Sequence, residues 1–327
     1  NTNTNDASTK LTCIHEWDAL RMLHPNDTTP GHNETFSHSY AFYDCDHLTG
    51  IPSTFIPNQN IDDSGYFRGM FANCTGLSLQ NFVTHPITGW DMTKAKVMGS
   101  LFYQCGFDTN AWVDLAFDPE IGTWDVGNVT DMAGLVSWNY NFNNGGSSSI
   151  SGWDTSSVTN MGSMFANVYN FTQDVSNWDT SNVTTMSNMF RHTRGGGNPD
   201  VTNWDVGKVT NMSSMFGDAY YFNRDIGNWD TSSLTNVGFM LQSARRFNYS
   251  LANWVVTGIT YGGAFLQGAT NFSTANYNAT LIGWASQNVQ NNVQFDFGST
   301  KYSAGAAASA RATLVSKGWT IYDGGQA

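Results

Sequence analysis

A repeat of about 25 residues is the feature that most limits what this chain can fold into. Tryptophan recurs at intervals that shorten from 34 to 25 residues, at Trp90, Trp124, Trp153, Trp178, Trp204, Trp229 and Trp254. This period is too short for two packed helices and fits one short strand, a turn and an irregular return segment. A repeat of this size cannot bury its own apolar residues, so neighbouring repeats must stack.

The residues after each tryptophan predict the positions of a shared core. An aliphatic residue stands five positions later, threonine six, methionine eight, a Met-Phe pair eleven and twelve, and phenylalanine eighteen. After Trp204 these residues are Val209, Thr210, Met212, Met215, Phe216 and Phe222. The β-branched residues predict a strand at each Val-Thr-x-Met segment. The whole pattern predicts a leucine-rich-repeat-like β-solenoid of about nine coils with N- and C-terminal caps.

The two ends of the chain lack the repeat and are predicted to cap the stack. Residues 1–35 are an N-terminal cap or extension, 36–273 the repeat solenoid and 274–327 a C-terminal capping segment. The alanine-rich stretch 303–316 predicts a helix that ends at Lys317-Gly318, and 319–322 predicts a short last strand. Caps are expected because exposed core and open edges favour association.

Charge argues against a nucleic-acid partner, and hydropathy argues against insertion into a membrane. The chain has 14 Lys and Arg against 26 Asp and Glu, which gives a formal net charge of −12. Nucleic-acid binding requires a basic surface, so no nucleic-acid partner is expected. The sequence has no apolar run long enough to span a bilayer, so no membrane insertion is expected either.

The repeats resemble those of BspA-type leucine-rich-repeat surface proteins, which read W-D-T-S-x-V-T-x-M-S-x-M-F. Residues 153–172 (WDTSSVTNMGSMFANVYNFT) and 204–223 (WDVGKVTNMSSMFGDAYYFN) match almost throughout. The earlier AFYDCDHLTGIP is similar to the sister form A-F-x-x-C-x-x-L-x-x-I-x-I-P. The resemblance covers roughly residues 36–327. It implies a secreted, extracellular or cell-surface protein of interaction type, without known catalysis and with no particular ligand.

We therefore expect a non-enzymatic protein that acts by binding or adhesion through an extended face. Its ligand would be a host-cell, matrix or glycan component. The alternative is a structural subunit that binds copies of itself in an extracellular filament or surface layer. No nucleophile elbow, phosphate loop or paired acid set is present in the sequence, and no cofactor is predicted.

One variable column is the best candidate for a binding surface. Tyrosine or arginine stands sixteen positions after tryptophan, with two neighbours of the same kind: Tyr140, Tyr169, Arg194, Tyr220, Tyr221, Arg245 and Arg246. Aromatic and arginine side chains are favoured at recognition surfaces. The alternative is that these tyrosines only cover the core beside the phenylalanine column.

Aspartate follows most of the repeat tryptophans and has two interpretations. Each carboxylate caps its own turn by accepting backbone N–H bonds, or stacked carboxylates bind calcium between turns. The capping interpretation is favoured, because the repeats lack the dense Gly-Asp spacing of a full oxygen cage. No other metal site is predicted.

The four cysteines, Cys13, Cys45, Cys74 and Cys105, leave two alternatives open. The last three each lie three residues after the phenylalanine of their repeat, in an inward-facing column. They are either buried thiols or disulfides between stacked coils, with Cys74 paired to Cys105 and Cys13 to Cys45.

Asn-x-Ser/Thr sequons are frequent in this chain. They occur at Asn26, Asn33, Asn73, Asn128, Asn170, Asn182, Asn211, Asn248, Asn271 and Asn278. A chain rich in asparagine and threonine produces many by chance, so they predict a glycoprotein only if the source secretes through a eukaryotic pathway.

Overall fold

The computed structural model describes residues 39–45, 48, 51, 65–77, 87–105, 107–108, 113–114, 117–146 and 149–327. The predicted segment 1–35, which includes Cys13 and the sequons at Asn26 and Asn33, lies outside these residues. Two short strands, β1 (Phe107–Asp108) and β2 (Val113–Asp114), pair antiparallel within one repeat. Short 3-10 helices cover Asn144–Gly146 and Ile150–Gly152.

Successive repeats lie side by side in parallel register, and each repeat is called a coil below. One residue per coil forms a parallel β-bridge with its counterpart in the next coil: Tyr66, Val97, Asp131, Asn160, Thr185, Asn211, Asn236 and Tyr261. The threonine before the bridge adds a second link. The N–H and hydroxyl of Thr184 both donate to the carbonyl of Thr159, at 2.8 and 3.1 Å. The coils are therefore joined backbone to backbone at a fixed position.

A segment of left-handed turns, called the turn ribbon here, recurs nine times in the described residues, and in eight of the nine coils it follows the bridge position. It contains two residues with positive φ four positions apart, such as Asn188 and His192 at 56° and 62°. Along the ribbon, successive N–H groups donate in turn to a carbonyl of the same coil and to a carbonyl of the next coil. The N–H of Met189 donates to the Met186 carbonyl at 3.2 Å, whereas Asn188 donates to the following coil. The strand predicted at Val-Thr-x-Met is therefore shortened to a single bridge, because the left-handed residue three positions later ends the extended backbone.

The predicted apolar columns form the core. The tryptophan, valine, methionine and phenylalanine positions are buried throughout the described coils. Equivalent rings stack from coil to coil, with centroids 6.4 Å apart for Trp178 and Trp204 and 5.9 Å for Phe190 and Phe216. Each fully buried side chain of this size contributes about 1.5–3 kcal/mol relative to exposure. The prediction that the tryptophans belong to the core is confirmed.

The C-terminal segment adds two helices and two strands to the last coil. They are α1 (Thr274–Ala285), β3 (Gln294–Asp296), α2 (Ala306–Ser316) and β4 (Thr320–Tyr322). β3 pairs parallel with β4, and Phe295 of β3 bridges Gly262 of the last coil. The helix predicted at 303–316 and the strand predicted at 319–322 are confirmed as α2 and β4. Among the described residues, no helix is both long and apolar enough to cross a membrane.

Of the two predicted disulfides, Cys74–Cys105 is not formed, and Cys13–Cys45 includes a residue outside the described part of the chain. Cys45, Cys74 and Cys105 are buried thiols. The thiol of Cys74 donates to the Phe42 carbonyl and that of Cys105 to the Phe71 carbonyl, both at 3.0 Å. Each thiol is thus directed at the backbone of the coil before it and not at a neighbouring sulfur, as a disulfide would require. Burial raises the pKa of Cys74 and Cys105 far above the ordinary thiol value.

Candidate binding surface

The predicted recognition residues lie along one corner of the stacked coils, and we call them the Tyr/Arg row. Four are partly buried and three exposed; in chain order they are Tyr140, Tyr169, Arg194, Tyr220, Tyr221, Arg245 and Arg246. The backbone holds them at this corner because their neighbours are core residues. Ala219 and Phe222, on either side of the two tyrosines, are fully buried. The alternation of buried and accessible positions therefore fixes the row at the surface.

Cation–π contacts join the second half of the row from coil to coil. The guanidinium carbon of Arg194, from the coil before, lies 4.7 Å from the centroid of the Tyr220 ring. That of Arg245, from the coil after, lies 4.2 Å from the same centroid. Arg246 lies 4.7 Å over the Tyr221 ring. Tyr220 is thus flanked by two cations, and each such contact contributes about 0.5–1 kcal/mol at an exposed site.

An aromatic pair forms the first half of the row. The ring centroids of Tyr140 and Tyr169 are 4.9 Å apart. The N–H of Tyr169 donates to the Tyr140 carbonyl at 2.9 Å, and the N–H of Gly195 donates to the Tyr169 carbonyl at 2.7 Å. Backbone hydrogen bonds therefore connect the coils of the tyrosine pair to the coil of Arg194. The structure brings all seven predicted residues onto one surface.

Arg194 is held in place by two further side chains. Its Nη2 lies 2.7 Å from Nδ1 of His192 and 3.4 Å from the carboxylate of Asp218. Burial lowers the pKa of His192, and this effect outweighs the opposite effect of Asp218. A neutral imidazole can accept the hydrogen bond that Arg194 donates, whereas a protonated one cannot. Arg194 is therefore preorganised when His192 is neutral.

Exposed arginines and exposed aspartates lie at different corners of the stacked coils. The corner with the Tyr/Arg row carries Arg191, Arg245 and Arg246 as exposed cations. The corner beside the tryptophans carries exposed aspartates, at Asp125, Asp154, Asp179, Asp205 and Asp230. In a chain with a net charge of −12, the row is a local positive surface that favours acidic ligands.

The aspartates of the tryptophan corner act as turn caps. In each described case one carboxylate oxygen accepts the N–H two residues later, as Asp179 accepts from Ser181 at 2.9 Å. The hydroxyls of Ser156 and Ser181 also hydrogen-bond the preceding aspartates, and these bonds lower the pKa of Asp154 and Asp179. The capping interpretation is confirmed. In the part of the chain that the structure describes, no group of three or more His, Cys, Asp or Glu side chains could hold a metal ion.

Several sequon asparagines use their amide nitrogen inside the structure. Nδ2 of Asn128 donates to the Thr93 carbonyl at 2.7 Å, and Nδ2 of Asn182 donates to the Ser156 carbonyl at 2.8 Å. Attachment of a glycan to this nitrogen would require these bonds to rearrange. The other described sequons divide into three exposed and three partly buried sites, Asn170, Asn248 and Asn271 against Asn73, Asn211 and Asn278.

A shallow groove beside the row was not predicted from the sequence. It runs across the turn ribbons of four coils, has a volume of about 400 Å³, and has Tyr103, Trp138 and Arg191 among its lining residues. Trp138 is 38% exposed and its ring meets that of Tyr140 edge-on at 6.3 Å. The groove, called the Trp groove below, therefore joins the Tyr/Arg row. The sequence signal for this groove is Trp138, which stands in a position that the other coils fill with small or polar side chains.

Three consecutive segments of the chain, residues 37–115, 107–198 and 193–305, match the model of one family, described as Mycoplasma protein of unknown function, DUF285. Together they run from residue 37 to residue 305, well over half of the chain. The chain belongs to the DUF285 family. No curated protein and no solved structure is significantly similar to it.

The DUF285 matches agree with the coils of the structure. The nine pairs of left-handed residues begin at Tyr40, Gly69, Ser100, Gly134, Ser163, Asn188, Ser214, Phe239 and Ala264. Each DUF285 match contains three of these pairs. One DUF285 unit thus corresponds to three stacked coils, and the prediction of a repeat protein is confirmed at this level.

Proposed function

We propose that this DUF285 protein is a non-enzymatic binding protein whose Tyr/Arg row contacts an extended, acidic partner. The observation that carries the proposal is the position of Tyr220 between Arg194 and Arg245, at 4.7 and 4.2 Å. The few residues that dominate binding at protein interfaces are enriched in tyrosine and arginine. A row of them on the surface of a regular stack is a suitable contact face for an elongated ligand.

Preorganisation supports this role. Binding loses affinity when flexible side chains must be ordered, at about 0.5–1.5 kcal/mol for each long side chain. Arg194 is already held by His192 and Asp218, and Tyr220 is flanked by two guanidinium groups. Arg245 and Arg246 nevertheless remain exposed to a partner. The row therefore combines a fixed geometry with accessible positive charge.

The location and the finer classification belong to the same proposal. We place the protein outside the cell or on its surface, as a leucine-rich-repeat-like β-solenoid of the BspA type. The repeat sequence supports this placement, as does a charged fraction of only 12%. The parallel bridges and stacked aromatic columns support the solenoid class. The ligand would be a host-cell, matrix or glycan component.

The proposal is tested by binding of the purified protein to immobilised glycans and matrix proteins. The double variant Arg245→Gln/Arg246→Gln removes two exposed cations from the row. The control Lys208→Gln/Lys301→Gln removes two exposed cations elsewhere. We expect the row variant to lose at least tenfold in affinity for the ligand found, and the control to retain it. Equal affinity of both variants would exclude the row as the contact surface.

Sedimentation and electron microscopy of the same samples test the alternative function. A structural subunit would form filaments or layers as its concentration rises. If assembly occurs and no array component binds, self-association replaces ligand binding as the function of the chain. The same two double variants then show whether the row forms the contact between copies.

A further inference from the structure

The Trp groove has features that the Tyr/Arg row does not explain. Its floor follows the first left-handed position of the turn ribbon, which is small or polar in four successive coils, at Ser100, Gly134, Ser163 and Asn188. Two coils farther along, this position is Phe239, an exposed aromatic residue. Coils are about 4.8 Å apart at a parallel bridge, so the four-coil floor is about 14 Å long. This length accommodates about three linked sugar rings.

Trp138 stands where the fold does not favour a tryptophan. It has a φ of 65°, and the left-handed region is unfavourable for bulky side chains. The equivalent residues in the other eight coils are Asp44, Asn73, Gln104, Asn167, His192, Asp218, Ser243 and Gly268. Burial does not offset the cost, because Trp138 is 38% exposed. Two other exposed aromatic residues, Tyr40 and Phe239, also have a positive φ, so Trp138 is distinguished by its place in the groove and not by its backbone conformation alone.

The groove chemistry suits a carbohydrate. An exposed indole offers an apolar face on which the C–H face of a sugar ring can stack, while hydroxyl and amide groups bind the sugar hydroxyls. Ser163 and Asn188, which are both partly exposed, provide such groups in the lining of the groove. Arg191 is exposed at the same groove, and no ion pair joins it to another residue of the described ranges. A guanidinium in this position favours a carboxylate or sulfate.

We infer that the Trp groove binds an acidic oligosaccharide, with a sugar ring stacked on Trp138 and its carboxylate or sulfate bound by Arg191. This inference rests on the proposed binding function and specifies the ligand class. The Tyr/Arg row would then extend the contact along the chain of sugars, because Trp138 touches Tyr140. Three probes separate the chemistries: a hyaluronan tetrasaccharide carries carboxylates alone, a heparin tetrasaccharide carries sulfates in addition to carboxylates, and cellotetraose is a neutral sugar.

The deciding variant is Trp138→Asn. Asparagine occupies the same left-handed position in two other coils, as Asn73 and Asn167, so the variant should fold at least as well as the wild type. Phe239→Asn is the matched control, because it removes another exposed aromatic residue with positive φ. Calorimetric titration gives the affinity, and saturation-transfer NMR identifies the sugar protons that contact an aromatic ring.

The expected result is binding of at least one acidic tetrasaccharide, weakened tenfold or more by Trp138→Asn and unchanged by Phe239→Asn. Arg191→Gln should weaken the acidic probe and leave cellotetraose unaffected. Absence of binding to both acidic probes would overturn the inference, and so would unchanged affinity in Trp138→Asn. If the array ligand is lost only with Arg245→Gln/Arg246→Gln, the row function stands and the groove inference fails. If it is lost only with Trp138→Asn, the reverse holds.

Discussion

The guanidinium of Arg245 lies 4.2 Å from the ring centroid of Tyr220, its neighbour in the preceding coil. This contact links two coils through surface side chains alone. It adds to the backbone hydrogen bonds of the bridge and the turn ribbon, and it places the guanidinium of Arg245 on the surface that we propose for binding. The contributions of this pair to stability and to binding can therefore be measured separately.

A double-mutant cycle of Tyr220→Leu and Arg245→Gln measures this contact. Leucine keeps the apolar body of the side chain and removes the aromatic face. We expect a coupling free energy of about 0.5–1 kcal/mol, because one exposed cation–π pair is lost. The free energies of unfolding in urea give the cycle. A second cycle of Arg245→Gln with Tyr169→Leu should show no coupling, and equal coupling in both cycles would contradict the contact.

A fall in pH is expected to lower the free energy of unfolding through protonation of His192. Burial lowers the pKa of His192 in the folded state, so the unfolded chain binds a proton more readily. The stability that depends on neutral His192 is thus complete above the unfolded pKa of about 6.5, and it is lost as the pH falls toward the folded pKa. Protonation also removes the acceptor for Arg194.

The variant His192→Asn isolates this effect. Asparagine suits the left-handed backbone of this position, as Asn73 and Asn167 show in other coils. Unfolding free energies measured between pH 7 and pH 5 should fall more steeply for the wild type than for the variant. Parallel curves would show that His192 does not contribute to the acid dependence.

The core columns could be predicted from the sequence because burial requires the same residue types in every coil. Val183, Met186, Met189 and Phe190 occupy the predicted inward positions. The turn ribbon could not be predicted, because its left-handed residues range from glycine to Trp138 and Phe239. A residue type that does not recur carries no signal in a repeat pattern.

The partners of inward residues were also beyond sequence reasoning. The register of the cysteine column was predicted correctly, but the thiols bond to carbonyl groups of the preceding coil. Backbone carbonyl groups are present in every coil whatever its side chains, so the sequence does not indicate which of them accepts a hydrogen bond from a thiol. The Tyr/Arg row was predicted as a column, whereas its cation–π contacts depend on the direction of each side chain.

Alkaline conditions are expected to destabilise the cysteine column. Burial raises the pKa of Cys74 and Cys105 above the unfolded value of about 8.5. Their contribution is therefore complete below this pH and is lost as the pH rises, since only the unfolded thiols then release protons. The slope is about 1.4 kcal/mol per pH unit for each thiol.

Cys74→Ala/Cys105→Ala should flatten this loss. Alanine occupies the same column in later coils, at Ala219 and Ala244, so the variant keeps a residue that the position accepts. Unfolding in urea at pH 8 to 10 gives the comparison with the wild type. An identical alkaline slope in both proteins would refute the assignment, and so would a Cys74–Cys105 disulfide in non-reducing peptide maps.

The tryptophans provide a matched pair for the last prediction. The indole N–H of Trp204 donates to the Val175 carbonyl at 2.9 Å. Trp153 is as deeply buried, but its Nε1 has no hydrogen-bond partner among the described residues. Trp204→Phe therefore removes one of the two donors to the Val175 carbonyl, which still accepts the N–H of Trp178 at 3.2 Å, whereas Trp153→Phe removes a donor that is unsatisfied. The loss of ring volume is the same in both.

We expect Trp204→Phe to lower the free energy of unfolding by about 0.5–1.5 kcal/mol more than Trp153→Phe, the net value of one hydrogen bond. Urea unfolding followed by circular dichroism at 222 nm measures both variants without relying on tryptophan emission. Trp178→Phe serves as a second hydrogen-bonded case, because its Nε1 donates to the Ile150 carbonyl at 2.9 Å. If Trp153→Phe is as destabilising as the other two, then Trp153 has a partner in solution, such as a buried water molecule.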